Sequence, residues 1–231
     1  MLAISYSDGT PTVAYTYDKA GNVSTRTDAT GTTTWGYTSR NLTAARQSTS
    51  GGGEIDWQYD AAGNLLNQLD ARGTDHYVHN TRNLLASMTD GTGTQWLFKY
   101  DDDGNRTDTY FNYTSGPVAW SMHTVTSYDK SNRVTRVKTT GNSTSNPTIS
   151  DLSYCYAKHV DGQGCSTATG DDTGLRQWST DNAVNKTSVY TYDKGNRLTK
   201  ATGVNGHDYG YAYDDDGNRT SQTVDGTTPR R

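Results

Sequence analysis

The stretch Tyr15-Thr16-Tyr17-Asp18-Lys19-Ala20-Gly21-Asn22-Val23 places two aromatic rings, an aspartate, a glycine and an asparagine at fixed offsets. The chain then repeats it. It returns as Trp57-Gln58-Tyr59-Asp60-Ala61-Ala62-Gly63-Asn64-Leu65 and as Phe98-Lys99-Tyr100-Asp101-Asp102-Asp103-Gly104-Asn105-Arg106. Later copies are Tyr190-Thr191-Tyr192-Asp193-Lys194-Gly195-Asn196-Arg197-Leu198 and Tyr211-Ala212-Tyr213-Asp214-Asp215-Asp216-Gly217-Asn218-Arg219. Looser copies stand between them: Trp35–Leu42, Tyr77–Leu84, Tyr128-Asp129 with Asn132-Arg133-Val134, and Tyr154-Cys155-Tyr156. Counted on the second aromatic position, Tyr17, Tyr37, Tyr59, His79 and Tyr100 fall 20 to 22 residues apart. The steps widen to 28, 28 and 36 through Tyr128, Tyr156 and Tyr192, and return to 21 at Tyr213. Fixed-period self-similarity of this kind marks a repeat architecture.

Each part of the phrase has a physical reading. Side chains alternate across a strand, so both rings of Tyr-x-Tyr leave from one face. The aspartate ends the strand by accepting backbone bonds in an Asx-turn. Glycine supplies the positive φ of a four- or five-residue hairpin loop, and asparagine tolerates the neighbouring position. An extended run follows, such as Val23–Thr27 or Leu65–Leu69, and a second set of breakers, such as Asp70-Ala71-Arg72-Gly73, turns the chain back. The expected unit is one β-hairpin per repeat, and the expected whole is an all-β array of tandem hairpins in a continuous curved antiparallel sheet. Rings on every second strand are expected to sandwich the aliphatic or threonine side chains of the strand between them.

Composition agrees with this. Of 231 residues 31% are hydrophobic, and Val, Leu, Ile and Phe together make only 28. That aliphatic poverty disfavours a helical bundle or a doubly wound α/β enzyme. The 17 Tyr, 5 Trp and net charge of −4 argue against a disordered chain. No basic run points to nucleic acid, and no apolar stretch is long enough for a membrane span. The start lacks the basic and apolar regions of a signal peptide. Together with the ending Thr227-Thr228-Pro229-Arg230-Arg231, it favours a piece of a longer exported chain.

The phrase resembles the YD repeat of Rhs proteins, teneurins and the C-component of Tc toxins, over essentially the whole chain. The resemblance implies a strip of sheet spiralling into a hollow β-shell. Such a shell encloses a toxin or other segment, or serves as a cell-surface adhesion scaffold, and carbohydrate binding is attributed to such repeats. On that basis residues 1–231 are one YD-repeat array, with regular repeats over 1–111 and 188–231 and longer, loop-bearing repeats over 112–187.

The longer repeats hold two loops, Asn142–Pro147 and a second running from Gly162-Gln163-Gly164-Cys165 through Thr169–Gly174. Cys155 and Cys165 read either as a disulfide pinning one loop, which would place the chain in an oxidising compartment, or as two thiols with Cys155 facing a core. The disulfide is the expectation. The acidic runs Asp101–Asp103 and Asp214–Asp216 lack the ligand order of an EF-hand and read as solvated turns. His76 and His79 lie three apart, on opposite faces of a strand, so no metal pair is expected. Neither a Cys155–His159 nucleophile pair nor any hydrolase or phosphate-binding motif makes a case for an enzyme. Four of the seven Asn-x-Ser/Thr sequons fall on turn asparagines (22, 41, 105 and 218), where the repeat itself explains them. The functional expectation is a secreted or cell-surface structural element, without catalytic, metal or cofactor site, whose partner is itself or the rest of a longer shell-forming chain. The alternative is a carbohydrate-binding adhesion module that takes glycans.

Overall fold

A computed structural model describes residues 2–48, 53–113, 120–142, 147–159, 164–165 and 174–228. Within these there are nineteen strands of one antiparallel sheet and no α-helix. The interior of the first expected loop, 143–146, most of the second, 162–163 and 166–173, and the last three residues lie outside the described residues.

The chain divides into two compact units. The first, residues 1–98 with 111–119, is a meander of β1 (Leu2–Ile4), β2 (Val13–Tyr17), β3 (Val23–Asp28), β4 (Gly31–Tyr37), β5 (Thr43–Ser48), β6 (Gly53–Tyr59), β7 (Leu65–Asp70), β8 (Gly73–His79) and β9 (Leu85–Thr89), with most of β10 (Gln95–Tyr100). The second, residues 99–110 with 120–231, holds most of β11 (Arg106–Phe111). It continues through β12 (Met122–Tyr128), β13 (Val134–Gly141), β14 (Thr148–Cys155), β15 (Trp178–Asp181), β16 (Lys186–Tyr192), β17 (Leu198–Val204), β18 (His207–Tyr213) and β19 (Arg219–Val224). In each unit, strands that follow one another in sequence pair antiparallel, as β2·β3 and β3·β4 do in the first and β12·β13 and β13·β14 in the second. The all-β expectation of tandem hairpins therefore holds.

The register contains a feature that strict alternation does not foresee. In β2·β3, Ala14, Tyr15 and Thr16 face Thr27, Arg26 and Thr25, but Tyr17 faces Val23, so Ser24 is an extra residue. The same β-bulge follows the turn at Ala44, Leu66, Ala86, Thr135, Thr199 and Thr220. A bulge sharpens local twist and re-aims the side chains beside it. In these seven hairpins it sits opposite the second aromatic position, and further register shifts fall in β13·β14 and β17·β18.

Little of the chain is shielded from water. Among the described residues the buried apolar side chains are Cys155, at 0% exposure, and Ala201, at 4%. Sheet cohesion therefore rests on cross-strand contacts. Threonine hydroxyls pair across the ladder at Thr16–Thr25 (2.6 Å), Thr124–Thr139 (2.8 Å) and Thr180–Thr187 (3.0 Å). The buried Asp151 takes a two-pronged ion pair from Arg136, at 2.7 and 2.5 Å, and bonds from the backbone and side-chain amides of Asn182.

Candidate functional site

The repeat phrase builds its own turn. In the first copy the Asp18 amide donates to the Asn22 carbonyl (2.9 Å), and the Gly21 amide donates back to the Asp18 carbonyl (3.2 Å). Asp18 Oδ1 accepts from the Ala20 and Asn22 amides, and Oδ2 accepts from Asn22 Nδ2. Asp60 and Asn64, Asp101 and Asn105, and Asp214 and Asn218 repeat this side-chain clamp at 2.8 to 3.1 Å. Asparagine side-chain bonds hold these four carboxyls below the usual carboxylate range. The same bonds occupy the Nδ2 atoms of the sequon residues Asn22, Asn105 and Asn218.

Two kinds of turn are present. Where the fourth turn residue is glycine, its φ is positive: Gly21, Gly63, Gly104 and Gly217 lie between 87° and 95°. In the other kind asparagine takes that place, with Asn41, Asn83, Asn132 and Asn196 between 59° and 62°. This corrects the reading of Gly195-Asn196 as the Gly-Asn of the phrase. Asn196 stands where glycine stands elsewhere, tolerating the left-handed region through its short polar side chain, and Arg197 stands in the asparagine slot. There Arg197 Nε reaches Asp193 Oδ2 at 2.7 Å, as Arg133 Nε reaches Asp129 Oδ2 at 2.8 Å.

Successive turns are tied together. Asn22, Asn64 and Asn105 donate Nδ2 to Oδ1 of Asn41, Asn83 and Asn132 in the following turn, at 3.3, 3.0 and 2.8 Å. Arg40 donates to the carbonyls of Asp60 and Ala61 at 2.6 Å, and Arg197 to that of Asp214 at 3.0 Å. Second tyrosines complete the tie in most phrases. Tyr37, Tyr59, Tyr128, Tyr156 and Tyr213 donate their hydroxyls to the carbonyls of Val23, Thr43, Arg106, Val134 and Leu198, at 2.9 to 3.0 Å. Each acceptor is the first strand residue after the preceding turn, and Val23, Thr43, Val134 and Leu198 stand next to a bulge. A sequence signal for this existed. The first position varies among Tyr, Trp, Phe and, once, Thr126, whereas the second is tyrosine in every copy but one, the pattern a hydroxyl requirement leaves. The exception, His79, leaves its buried Nδ1 without a bond.

The first aromatics fill local roles. Trp57 Nε1 donates to Gln68, Tyr190 shares a bond with Ser179, and Arg219 lies over the Tyr211 ring. Between two of these rings lies an arginine that precedes β15, not the aliphatic or threonine side chain of an intervening strand: the Arg176 guanidinium sits 5.1 Å from the centroids of both Tyr154 and Tyr190. Arg133 and Arg197 lie over Tyr156 and Tyr213, one repeat further on.

Two side-chain groupings stand outside the turns. In the first, the His123 ring stacks on Tyr110 at 4.1 Å, bonds Asp108 at 2.8 Å and abuts Trp120. The second is a cleft of about 360 Å³ in the longer repeats, lined by Lys158, His159, Gln177, Tyr190, Thr191 and Tyr192. Close by, Cys155 and Cys165 are joined by a disulfide with their Cα atoms 5.6 Å apart. His76 bonds Asn67 at 2.6 Å and is not brought to His79. Among the described residues no three His, Cys, Asp or Glu side chains assemble as a metal-binding group, and no helix is long and apolar enough to cross a membrane.

No protein-family profile matches the chain, and no curated protein matches its sequence. Among solved structures, a crystal structure of TcdB2-TccC3-TEV aligns with 92% of this chain at 16% identity and a TM-score of 0.41. A crystal structure of TcdB2-TccC3 aligns with 93% at 15% identity and a TM-score of 0.41. A porin-like protein from Bacteroides uniformis ATCC 8492 aligns with 96% at 13% identity and a TM-score of 0.37, over 92% of its own length. The chain spans only 13 to 14% of the length of the TcdB2-TccC3 chains it is similar to.

Proposed function

We propose that this protein is a non-enzymatic structural element, a stretch of secreted or cell-surface β-shell of the YD-repeat kind that encloses or displays other segments. One observation carries the reading: the residues that define the repeat are engaged in holding one repeat to the next. Turn aspartates bond their own asparagines or arginines, turn asparagines bond the next turn, and second tyrosines bond the preceding one. A disulfide supports an oxidising compartment. Unpaired strand edges make self-association, or pairing with further hairpins of a longer chain, the natural completion of such a strip. Light scattering across micromolar concentrations is the test. Concentration-dependent assembly is expected, and a strict monomer throughout would remove self-association from the reading.

A second reading, a glycan-binding adhesion module, draws on the cleft of about 360 Å³ whose lining includes Tyr190 and Tyr192, since aromatic rings suit the C–H surface of a sugar. Titration with neutral and acidic oligosaccharides tests it, and silence at millimolar sugar removes it.

A further inference from the structure

One Asn-x-Ser/Thr motif has no part in the repeat. Asn185-Lys186-Thr187 has the pattern of an N-glycosylation acceptor, with no proline in its middle place. It begins in the turn between β15 and β16, where Asn182 through Thr187 are all exposed. Asn185 has φ of 51°, a left-handed backbone that asparagine tolerates at the tip of a hairpin.

Glycan transfer needs an amide nitrogen that can give up a hydrogen. The bond from Nδ2 to the sugar C1 forms as the C1–oxygen bond of a lipid-linked sugar diphosphate breaks. The amide loses one proton and the diphosphate departs. Attachment takes place on the emerging chain, before the ladder pairs the Thr187 hydroxyl with that of Thr180 at 3.0 Å. The fold then decides which glycan it can keep.

Sequons inside the repeat keep one badly. Asn22 Nδ2 donates to both Asp18 and Asn41, and Asn105 Nδ2 to both Asp101 and Asn132, so each amide uses both its hydrogens. A sugar there removes one of the two bonds. Asn218 Nδ2 donates to Asp214, and Asn41 Oδ1 accepts from Asn22. The sequons of Asn112 and Asn142 end in Thr114 and Thr144, outside the described residues. Among the sequons described in full, Asn185 alone has a side chain without a hydrogen bond. A sugar at that tip also interrupts no ladder, since β15 is paired to β14 and β16, and β16 to β15 and β17.

We infer that Asn185 is an N-glycosylation site. The inference rests on the secreted reading, because the transferase acts on chains entering that route, and it gives the exposed surface a defined modification.

The full chain, led by a cleavable signal peptide and secreted from cultured human cells, tests this. Peptide mass spectrometry follows treatment with peptide-N-glycosidase F, which turns each formerly linked asparagine into aspartate. Conversion is expected at Asn185, and Asn22 and Asn105 are expected to stay asparagine. Asn185→Gln and Thr187→Ala are each expected to abolish the glycan on that turn, and Thr187→Ser, which restores a hydroxyl, to keep it. Should Thr187→Ala fail to fold, Asn185→Gln at its exposed turn decides. An unconverted Asn185 in secreted chain with the Cys155–Cys165 bond formed overturns the inference and leaves the secreted reading standing. Retention inside the cell with both thiols open to alkylation overturns both. Conversion of Asn22 or Asn105 to the same extent as Asn185 also overturns the inference.

Discussion

A tyrosine hydroxyl and a carbonyl beside a bulge are the smallest unit of this molecule's cohesion. Tyr59 donates to the Thr43 carbonyl at 2.9 Å in a half-buried setting. Phenylalanine at that position keeps the ring and strands the acceptor, so Tyr59→Phe is expected to destabilise by about 1 kcal/mol. Tyr17 has the same place in its phrase but no hydroxyl partner among the described residues, and its side chain is exposed. Tyr17→Phe is therefore expected to change stability by less than about 0.5 kcal/mol. Paired chemical denaturation of the two variants checks the difference. The converse experiment uses His79, whose Nδ1 is buried without a bond. His79→Tyr would bring a hydroxyl to the Leu65 carbonyl, the equivalent acceptor, since Leu65 faces His79's counterpart Tyr59 as Val23 faces Tyr17. A gain of about 0.5–1.5 kcal/mol is expected, and a loss would show that the ring, not the hydroxyl, sets the requirement. The turn aspartates add a pH dependence of fixed sign. Asparagine bonds lower the folded-state values of Asp18, Asp60, Asp101 and Asp214 below the ordinary 3.8. Their stabilisation is complete above that value and is lost as pH falls through the lowered folded values. Thermal melting should hold level down to about pH 4 and drop steeply below it. A midpoint that does not fall between pH 4 and pH 2 would rule these clamps out as contributors.

At the scale of the hairpin, two turns of the first unit meet backbone to backbone. A Cβ built on Gly91 would lie 2.9 Å from the Arg72 carbonyl oxygen and 3.0 Å from the Gly73 Cα, while the Gly91 amide donates to Asp75 at 2.8 Å. Its backbone is not in the left-handed region, so Gly91→Ala is a purely steric perturbation. A loss of about 1–3 kcal/mol is expected on denaturation, with Gly93→Ala differing in kind because Gly93 has open space but φ of 89°. How far such elements were legible differs by feature. Hairpins and their turns follow from Asp, Gly and aromatic spacing, because that chemistry is local. The bulges at Ser24 or Leu66 were not, since alternation of Val23–Thr27 or Leu65–Leu69 reads as regular strand and the skip shows only in the partner's register. Asn196 in the glycine place was misread for a related reason: Gly195 stands next to it in sequence, and only φ separates them. The Arg176 setting was invisible, because Tyr154, Arg176 and Tyr190 meet only once β14, β15 and β16 are paired.

Among the described residues Cys155 and Ala201 are the buried apolar side chains, too few to make one shared core. The chain's stability is a sum of links between neighbouring repeats, the quasi-one-dimensional regime of solenoids. Exposed strand edges are hazardous in that regime, because any strand of compatible spacing can extend the array. β1 is Leu2-Ala3-Ile4, with no charge or proline to blunt it, and its ladder runs to β2. Leu2 is 63% exposed and Ile4 46%. Ile149, on β14, is comparably exposed at 55%, yet β14 is paired to both β13 and β15. The two residues separate edge pairing from mere surface stickiness. If association proceeds by strand addition, Ile4→Lys shifts the concentration-dependent mass measured by light scattering towards monomer, and Ile149→Lys leaves it unchanged. Equal effects would assign association to exposed apolar surface in general. An effect confined to Ile149→Lys would place the contact on the sheet face and remove β1 from the account.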